Sequence, residues 1–248
     1  MAEVTAETGG VAERYHFLIR RLHSLSGIIP VGVFLCIHLS VNASILAGRD
    51  AFQFAVDQIH ILDNLGILKA VEVLFIFAPI AFHALVGVLI WFTSKPNLFD
   101  YKYGGNIRYT FQRWTGVLAI VFIVVHLWHV HWIIPGGSEF DPHAASSSAI
   151  AAMAAPWAGP VYAIGLLCAV FHLANGIWTF LITWGVTISP KAQKISGGAC
   201  FIIGLVLALI GLSALVKFRT MDASAEPPAV VVPSHAAAGM MDVSPPHS

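Results

Sequence analysis

The strongest constraint on this chain is where it carries no charge. Leu22 to Gly48, Val73 to Ser94, Trp114 to Ser138, Pro142 to Pro190 and Ile195 to Val216 contain no Asp, Glu, Lys or Arg. Crossing a hydrocarbon core takes about 20 consecutive, mostly apolar residues, and every one of these stretches is long enough. The fourth opens with a small, polar run, HAASSSAIAAMAAP, so its apolar part begins near Trp157 and reaches about Val186. The pattern predicts an all-α, polytopic membrane protein with five transmembrane helices, at about 21–46, 68–93, 113–135, 158–186 and 196–217. Composition supports this, with 57% apolar and only 10% charged residues, against roughly 25% charged in soluble domains. It excludes an ordinary soluble enzyme, a disordered chain and a collagen-like chain. Lys and Arg number 13 and so do Asp and Glu. Nothing in that balance calls for nucleic acid, and the partner it does imply is a lipid bilayer.

Residues 1–12 are polar and predicted to be a flexible N-terminal segment, residues 13–220 form the transmembrane domain, and residues 221–248 are a predicted disordered tail rich in Ala, Pro and Ser. The N-terminus lacks the charged start, short apolar core and small-residue cleavage site of a signal peptide, so the first helix is expected to be retained. An odd number of spans puts the two ends on opposite sides. Arg14, Arg20, Arg21, Lys95, Lys102, Arg108, Arg113, Lys191 and Lys194 fall on the N-terminal side, against Arg49, Lys69, Lys217 and Arg219 on the other. The positive-inside rule therefore predicts a cytoplasmic N-terminus and an outer C-terminus. Trp91, Trp114 and Trp184 fall at inner ends, and Trp132 and Trp157 at outer ends, as interfacial belts require.

Ionisable residues inside a span are costly and are functional candidates for that reason. Four of the 12 histidines lie deep in four different helices: His38, His83, His126 and His172. At about 1.5 Å per residue, His83 and His172 each lie roughly 18 Å from the inner edge, while His38 and His126 lie about 15 and 14 Å from the outer edge. They sort into an inner pair, His83 with His172, and an outer pair, His38 with His126. Neutral imidazole is an axial ligand for haem iron, which takes one ligand on each face. Cys36, Cys168 and Cys200 form no CxxC and no CxxCH, so such a haem would be b-type, held without covalent attachment. Gly87 and Gly176 follow His83 and His172 by one turn on the same face, in a repeated F-H-x-x-x-G pattern that leaves room for a macrocycle or a close helix. A lone intramembrane histidine more often makes a helix–helix hydrogen bond, and it is the pairing by depth across four helices that favours ligation. Closed zinc sites gather four ligands, often thiolates, and no cysteine here has ligand spacing to a histidine.

The remaining histidines divide by position. His129 and His131 lie near the outer end of the third helix, where an interfacial or quinone-site role suits them. His16 and His23 sit at the inner boundary, within reach of haem propionates or headgroups. His60 and His143 are expected in solvated outer loops, and His235 and His247 in the tail are assigned no role.

Several stretches together resemble one family. They are Arg20-Arg21-Leu22-His23-Ser24-Leu25-Ser26-Gly27, Ile28-Ile29-Pro30-Val31-Gly32, His38-Leu39 and Val41-Asn42 in the first helix, and Glu72, Pro79 and Phe82-His83 in the second. Gln112-Arg113-Trp114-Thr115-Gly116 and His126 follow in the third. Phe171-His172, Asn175-Gly176, Trp178, Thr183-Trp184-Gly185 and Ser189-Pro190 complete the set. Across about residues 14–218 the chain resembles the five-helix, di-haem cytochrome b subunit of bacterial succinate dehydrogenase and fumarate reductase. The resemblance implies a membrane anchor for a flavoprotein subunit and an iron–sulfur subunit. It implies two b haems, with His83 and His172 proximal and His38 and His126 distal, passing electrons to a quinone, commonly menaquinone. The long outer connection at 136–157 and the tail after 220 depart from the family pattern. Other di-haem anchors, of the formate dehydrogenase or hydrogenase type, share the four-histidine arrangement; a haem-free anchor or transporter is the reading from a different class.

Quinone reduction consumes protons, so a carboxylate or histidine is expected near the ring. Glu72 is the leading candidate, one turn inside the outer end of the second helix; pairing with Lys69 is its structural alternative. Asp57, Asp63 and His129 are weaker candidates. Arg113, with Arg20, Arg21 and His23, lines the inner boundary, where propionates or the iron–sulfur partner would meet it; each also simply satisfies the positive-inside rule.

Overall fold

The computed structural model describes residues 15–93, 104–131, 137 and 140–222. Among the described residues all regular structure is helical. In chain order the helices are α1 (Tyr15–Ala47), α2 (Arg49–Asn64), α3 (Leu68–Thr93), α4 (Gly104–Val130), α5 (Ala145–Met153), α6 (Ala158–Thr183) and α7 (Pro190–Thr220). Helices α1, α3, α4, α6 and α7 are long and apolar enough to cross a membrane, so the chain is an all-α, multi-pass membrane protein. The expected segment 1–12 and the tail beyond residue 222 lie outside the described residues.

The bounds of α3 match the predicted 68–93, but α1, α4 and α7 begin further out than predicted. A helix need not stop where the hydrocarbon does, because long cationic side chains can lie along it and reach the interface. Arg21 does so, its guanidinium 4.8 Å from the Trp184 ring and 4.9 Å from Phe17. The start of α7 is set by local chemistry: Ser189 Oγ accepts the Ala192 N–H at 3.2 Å, and Pro190 occupies the first turn, where no amide donor is needed. The end of α6 is set by Gly185 at φ 73°, which lets the Gly185 and Val186 amides turn back to the Ile182 and Leu181 carbonyls at 3.0 and 2.9 Å. Helices α1 and α3 each contain a π turn, Gly27–Gly32 and Glu72–Phe77. Pro30 lies inside the first and Pro79 just beyond the second. A proline offers no N–H to the preceding turn, and the widened register accommodates that loss.

Helix α6 is the centre of the bundle, packed along α4 on one side and α7 on the other. Small residues of α7 permit the approach. A Cβ on Gly204 would lie 2.9 Å from the Ala174 methyl, and one on Gly211 would lie 2.8 Å from Leu166. Helix α3 sits at the margin, with no residue of its most apolar window buried by protein.

The outer connections are not the loops the sequence predicts. His60 lies on α2, and the 136–157 connection contains α5. Neither helix meets the length and apolarity of a span, so a search for spans passes over both. In α2, Phe52 and Val56 stand one turn apart on one face, while Asp50, Gln53 and Asp57 leave it polar elsewhere. Phe52 and Val56 pack with Ile150, Ala152 and Met153 of α5, Ile45 of α1, and Ala214 and Phe218 of α7 into the largest buried cluster of the protein. Gln53 ties the two connections together, donating to the Pro142 carbonyl at 2.8 Å and accepting from the Ala145 amide at 2.9 Å. Arg219 closes the other side on the Met153 and Ala155 carbonyls, at 2.7 and 3.0 Å. Only His143 of the two outer histidines is exposed; His60 is partly covered, 3.9 Å from Asp63, with its ring centroid 5.8 Å from that of His143.

Candidate functional site

The structure brings the four intramembrane histidines together as two pairs. His83 of α3 and His172 of α6 have ring centroids 6.0 Å apart with planes at 84°. His38 of α1 and His126 of α4 have centroids 5.7 Å apart with planes at 79°. Two imidazoles bound through Nε2 to one metal at about 2 Å would hold their ring centres roughly 6 Å apart.

The inner pair is held by backbone. His83 Nδ1 donates to the His23 carbonyl at 2.9 Å, and His172 Nδ1 donates to the Gln112 carbonyl at 3.0 Å. A mid-helix carbonyl is normally screened by the side chain of the residue one turn later. Here that residue is glycine in both helices, Gly27 after His23 and Gly116 after Gln112. A Cβ on Gly27 would lie 2.7 Å from His83 Nδ1, and one on Gly116 would lie 2.8 Å from His172 Cε1. With Nδ1 committed to a carbonyl, the neutral tautomer leaves Nε2 bare for a metal.

The outer pair is held by side chains. His126 Nδ1 lies 3.3 Å from the Tyr162 hydroxyl, and the same hydroxyl lies 2.9 Å from His129 Nδ1. His38 Nε2 lies 3.4 Å from the Asn42 amide nitrogen, which donates to the His38 carbonyl at 2.8 Å. His129 is buried, its ring 4.5 Å from that of Trp157.

The other expected site residues fall as follows. His23 stacks on His83 at 4.0 Å with planes 9° apart, and its Nδ1 is buried with no hydrogen-bond partner. Gly87 makes room for the His23 ring and Gly176 for the Gln112 side chain, at Cβ distances of 3.2 and 3.4 Å. Arg113 donates to the Trp91 carbonyl and to the Tyr109 hydroxyl, bracing α4 against the inner end of α3. Glu72 Oε1 lies 4.0 Å from His131 Nε2 at the outer end of α3. Burial holds the His131 imidazole below its ordinary value, so it faces Glu72 as a neutral ring near neutral pH. Asp57 and Asp63 are exposed on α2, where Asp57 accepts from Gln53 at 2.8 Å.

Sequence reasoning missed Tyr162, Gln112 and Asn175 as site residues. A polar side chain within a span was the available signal for Tyr162 and Asn175; Gln112 lies just before the predicted span and, like Asn175, stands inside a family motif. Gly27 and Gly116 stand inside quoted motifs, but their role depends on which neighbouring ring they admit.

The residues suit a haem held by axial imidazole pairs: two neutral rings at metal-bridging separation, backbone acceptors fixing the inner tautomers, glycines where a Cβ would obstruct the rings, and an orphaned His23 nitrogen at the edge. Among the described residues no three His, Cys, Asp or Glu side chains converge, as a closed zinc site would require.

Five spans enclosing two imidazole pairs define an integral-membrane helical bundle built to hold something between its helices. A family model described as "Succinate dehydrogenase/Fumarate reductase transmembrane subunit" matches residues 93–211. The chain is 39% identical over 204 residues to the "Succinate dehydrogenase cytochrome b558 subunit" of Bacillus subtilis (strain 168), an alignment covering 82% of this chain and 96% of that relative. The chain belongs to the family of membrane-spanning cytochrome b subunits of succinate dehydrogenase and fumarate reductase. That membership sets aside the formate dehydrogenase and hydrogenase anchors and the transporter.

Proposed function

We propose that this subunit binds two b haems within the bilayer and passes electrons from the iron–sulfur subunit of its complex to a quinone, menaquinone being the expected type. The observation that carries this reading is the pairing of four histidines, from four helices, at two depths. His83 and His172 would hold the inner haem, and His38 and His126 the outer. The flavoprotein and iron–sulfur partners dock on the cytoplasmic face, beside Arg20, Arg21 and Arg113, with the N-terminus on that side and the C-terminus outside.

Haem iron supplies reversible one-electron transfer; the chain supplies position and insulation. The His23 and Gln112 carbonyls keep the inner ligands neutral and turned with Nε2 outward. The apolar faces of α1, α3, α4 and α6 exclude water from both pairs. Arg113 and His23 would meet the acidic edge of the inner haem, while Gly87 lies against the His23 ring and Gly176 against the Gln112 side chain beside it. At the outer end, Glu72 and His131 take or give the protons that quinone chemistry requires.

Haem per complex, measured by pyridine haemochrome, tests the reading. The wild type is expected to carry two haems, and His83→Ala and His38→Ala one each, with different residual spectra. Absence of haem from the wild-type complex would overturn the electron-transfer role. A single wild-type haem would return one pair to helix packing.

A further inference from the structure

The inner site continues beyond its ligand into a buried polar chain. Gln112 meets His172 twice: its carbonyl accepts from the His172 ring, and its side-chain Nε2 donates to the His172 carbonyl at 3.0 Å. The residue one turn after His172 is Gly176, where an added Cβ would meet Gln112 Nε2 at 3.4 Å, an ordinary contact rather than the clash found at Gly27 and Gly116. Gln112 Oε1 in turn accepts from Asn175 Nδ2 at 2.9 Å, and Asn175 Oδ1 accepts from Arg108 Nε at 3.0 Å. The Arg108 guanidinium lies 3.9 Å over the Trp178 ring, whose N–H donates to the Gln193 carbonyl at 2.8 Å. Asn175 is only 3% exposed. Burying the Asn175 amide and partly covering the Arg108 guanidinium among apolar helices is costly unless their hydrogen bonds are made, and this chain makes them in series toward one histidine. At the outer pair Asn42 meets the ring and the carbonyl of His38 from within the same helix, at 3.4 and 2.8 Å, but among the described hydrogen bonds no Gln, Asn or Arg from another helix extends it into a chain.

We propose that Gln112 is a positioning residue for His172, gripping the ring and the backbone of the ligand at once, and that Arg108 acts on the inner haem only through Asn175 and Gln112. This rests on the di-haem reading above. The ring angle of His172 is the quantity at stake: the main-chain carbonyl of Gln112 accepts from the ring, and the Gln112 side chain fixes the His172 backbone relative to that carbonyl. An imidazole on a metal can rotate about the metal–nitrogen bond, and the Nδ1 hydrogen bond stops that rotation. The near-perpendicular planes of His83 and His172 then follow from two separate anchors, the His23 carbonyl for one ring and the Gln112 clamp for the other.

The test is low-spin haem electron paramagnetic resonance, with redox titration, on the purified complex carrying Gln112→Met, Asn175→Ala, both together, or Arg108→Lys. The largest g value reports the angle between axial imidazole planes, and the outer haem is an internal standard in the same sample. Haem content is measured first: two haems in the wild type uphold the reading on which the proposal rests. The expected result is a displaced inner-haem g value and midpoint potential in Gln112→Met, a displacement of the same sign in Asn175→Ala, and no larger change in the double variant. The outer haem signal stays in place. If Gln112→Met fails to assemble, Asn175→Ala and Arg108→Lys read the same chain from its far end. An unmoved inner signal in these variants overturns the proposal. So does equal movement of both haems, which is general loosening of α4 against α6, or a double variant whose shift is the sum of the singles, which means two independent routes.

Discussion

The inner and outer histidine pairs do similar geometry with different materials. At the inner pair each imidazole hydrogen-bonds to a main-chain carbonyl, exposed because a glycine stands one turn further on. At the outer pair His126 leans on a tyrosine hydroxyl that it shares with His129. A carbonyl inside a helix is fixed by the helix and accepts only. A hydroxyl rotates, and it can donate or accept. The inner site is therefore stiff and single-minded about tautomer, whereas the outer site can adjust its hydrogen bonds when a neighbour changes protonation. That difference suits the quinone role proposed for the outer end, where Glu72 and His131 lie 4.0 Å apart.

The contrast breaks most sharply at the glycines. Gly27→Ala or Gly116→Ala places a methyl where the inner ring lies, so the inner haem is expected to be lost or displaced while the outer is retained. Difference spectra at the two α-bands would show it, and equal loss of both would mean that the glycines serve packing in general. Next in size is Glu72→Gln. Quinone reduction by succinate is expected to fall about 10²-fold, the scale of a lost general acid or base, while reduction of an artificial acceptor at the soluble subunits is unchanged. Retained quinone turnover would move the proton donor elsewhere, with His129 next to be examined. A smaller effect is expected from Tyr162→Phe. It leaves two buried imidazole nitrogens without their shared partner, a cost of about 1–3 kcal/mol for an unsatisfied buried group. The outer haem's potential should shift and the inner one's hold; movement of both would erase the distinction between the sites.

The smallest effect concerns pH. His131 has its folded value lowered by burial from the ordinary 6.5, so the unfolded chain binds that proton more readily. The contribution is intact above pH 6.5 and is lost as pH falls from there toward the folded value. Hydrogen exchange at the outer end of α4 should accelerate over that interval in the wild type and less so in His131→Gln. An equal response in both would assign the pH dependence to other groups.

What the sequence displayed, and what it hid, follows from physical scale. Spans were legible because hydrocarbon sets their length, and the depth of each histidine followed from helical rise. Helix ends were less legible: Arg21, Arg113 and Lys194 bound the charge-free runs, but the helices continue through them. The α2 helix was readable only as Phe52 and Val56 on one face of an otherwise polar segment, too weak a signal to register as a span. The inner clamp was not readable at all. The groups that hold His83 and His172 are carbonyls, which every residue possesses, and only the arrangement of helices shows that those of His23 and Gln112 are the ones used. Arg108 and Gln112 stand one turn apart on α4, but Asn175 lies 63 residues beyond Gln112, and no local pattern joins the three.

The close packing of α7 on α6 has a consequence for biogenesis. Gly204 and Gly211 let the two helices touch along their length without any help from a cofactor. Of the five spans these are the last to leave the ribosome, yet His172 and Tyr162, one contact for each histidine pair, both stand on α6. The earlier spans therefore enter the bilayer with His83 unmatched and with His38 and His126 paired but without the Tyr162 contact, and the inner site is incomplete until α6 has been inserted. Loading of the inner site is thereby made a late, post-insertion event, and a chain stalled before α6 would hold the outer pair alone.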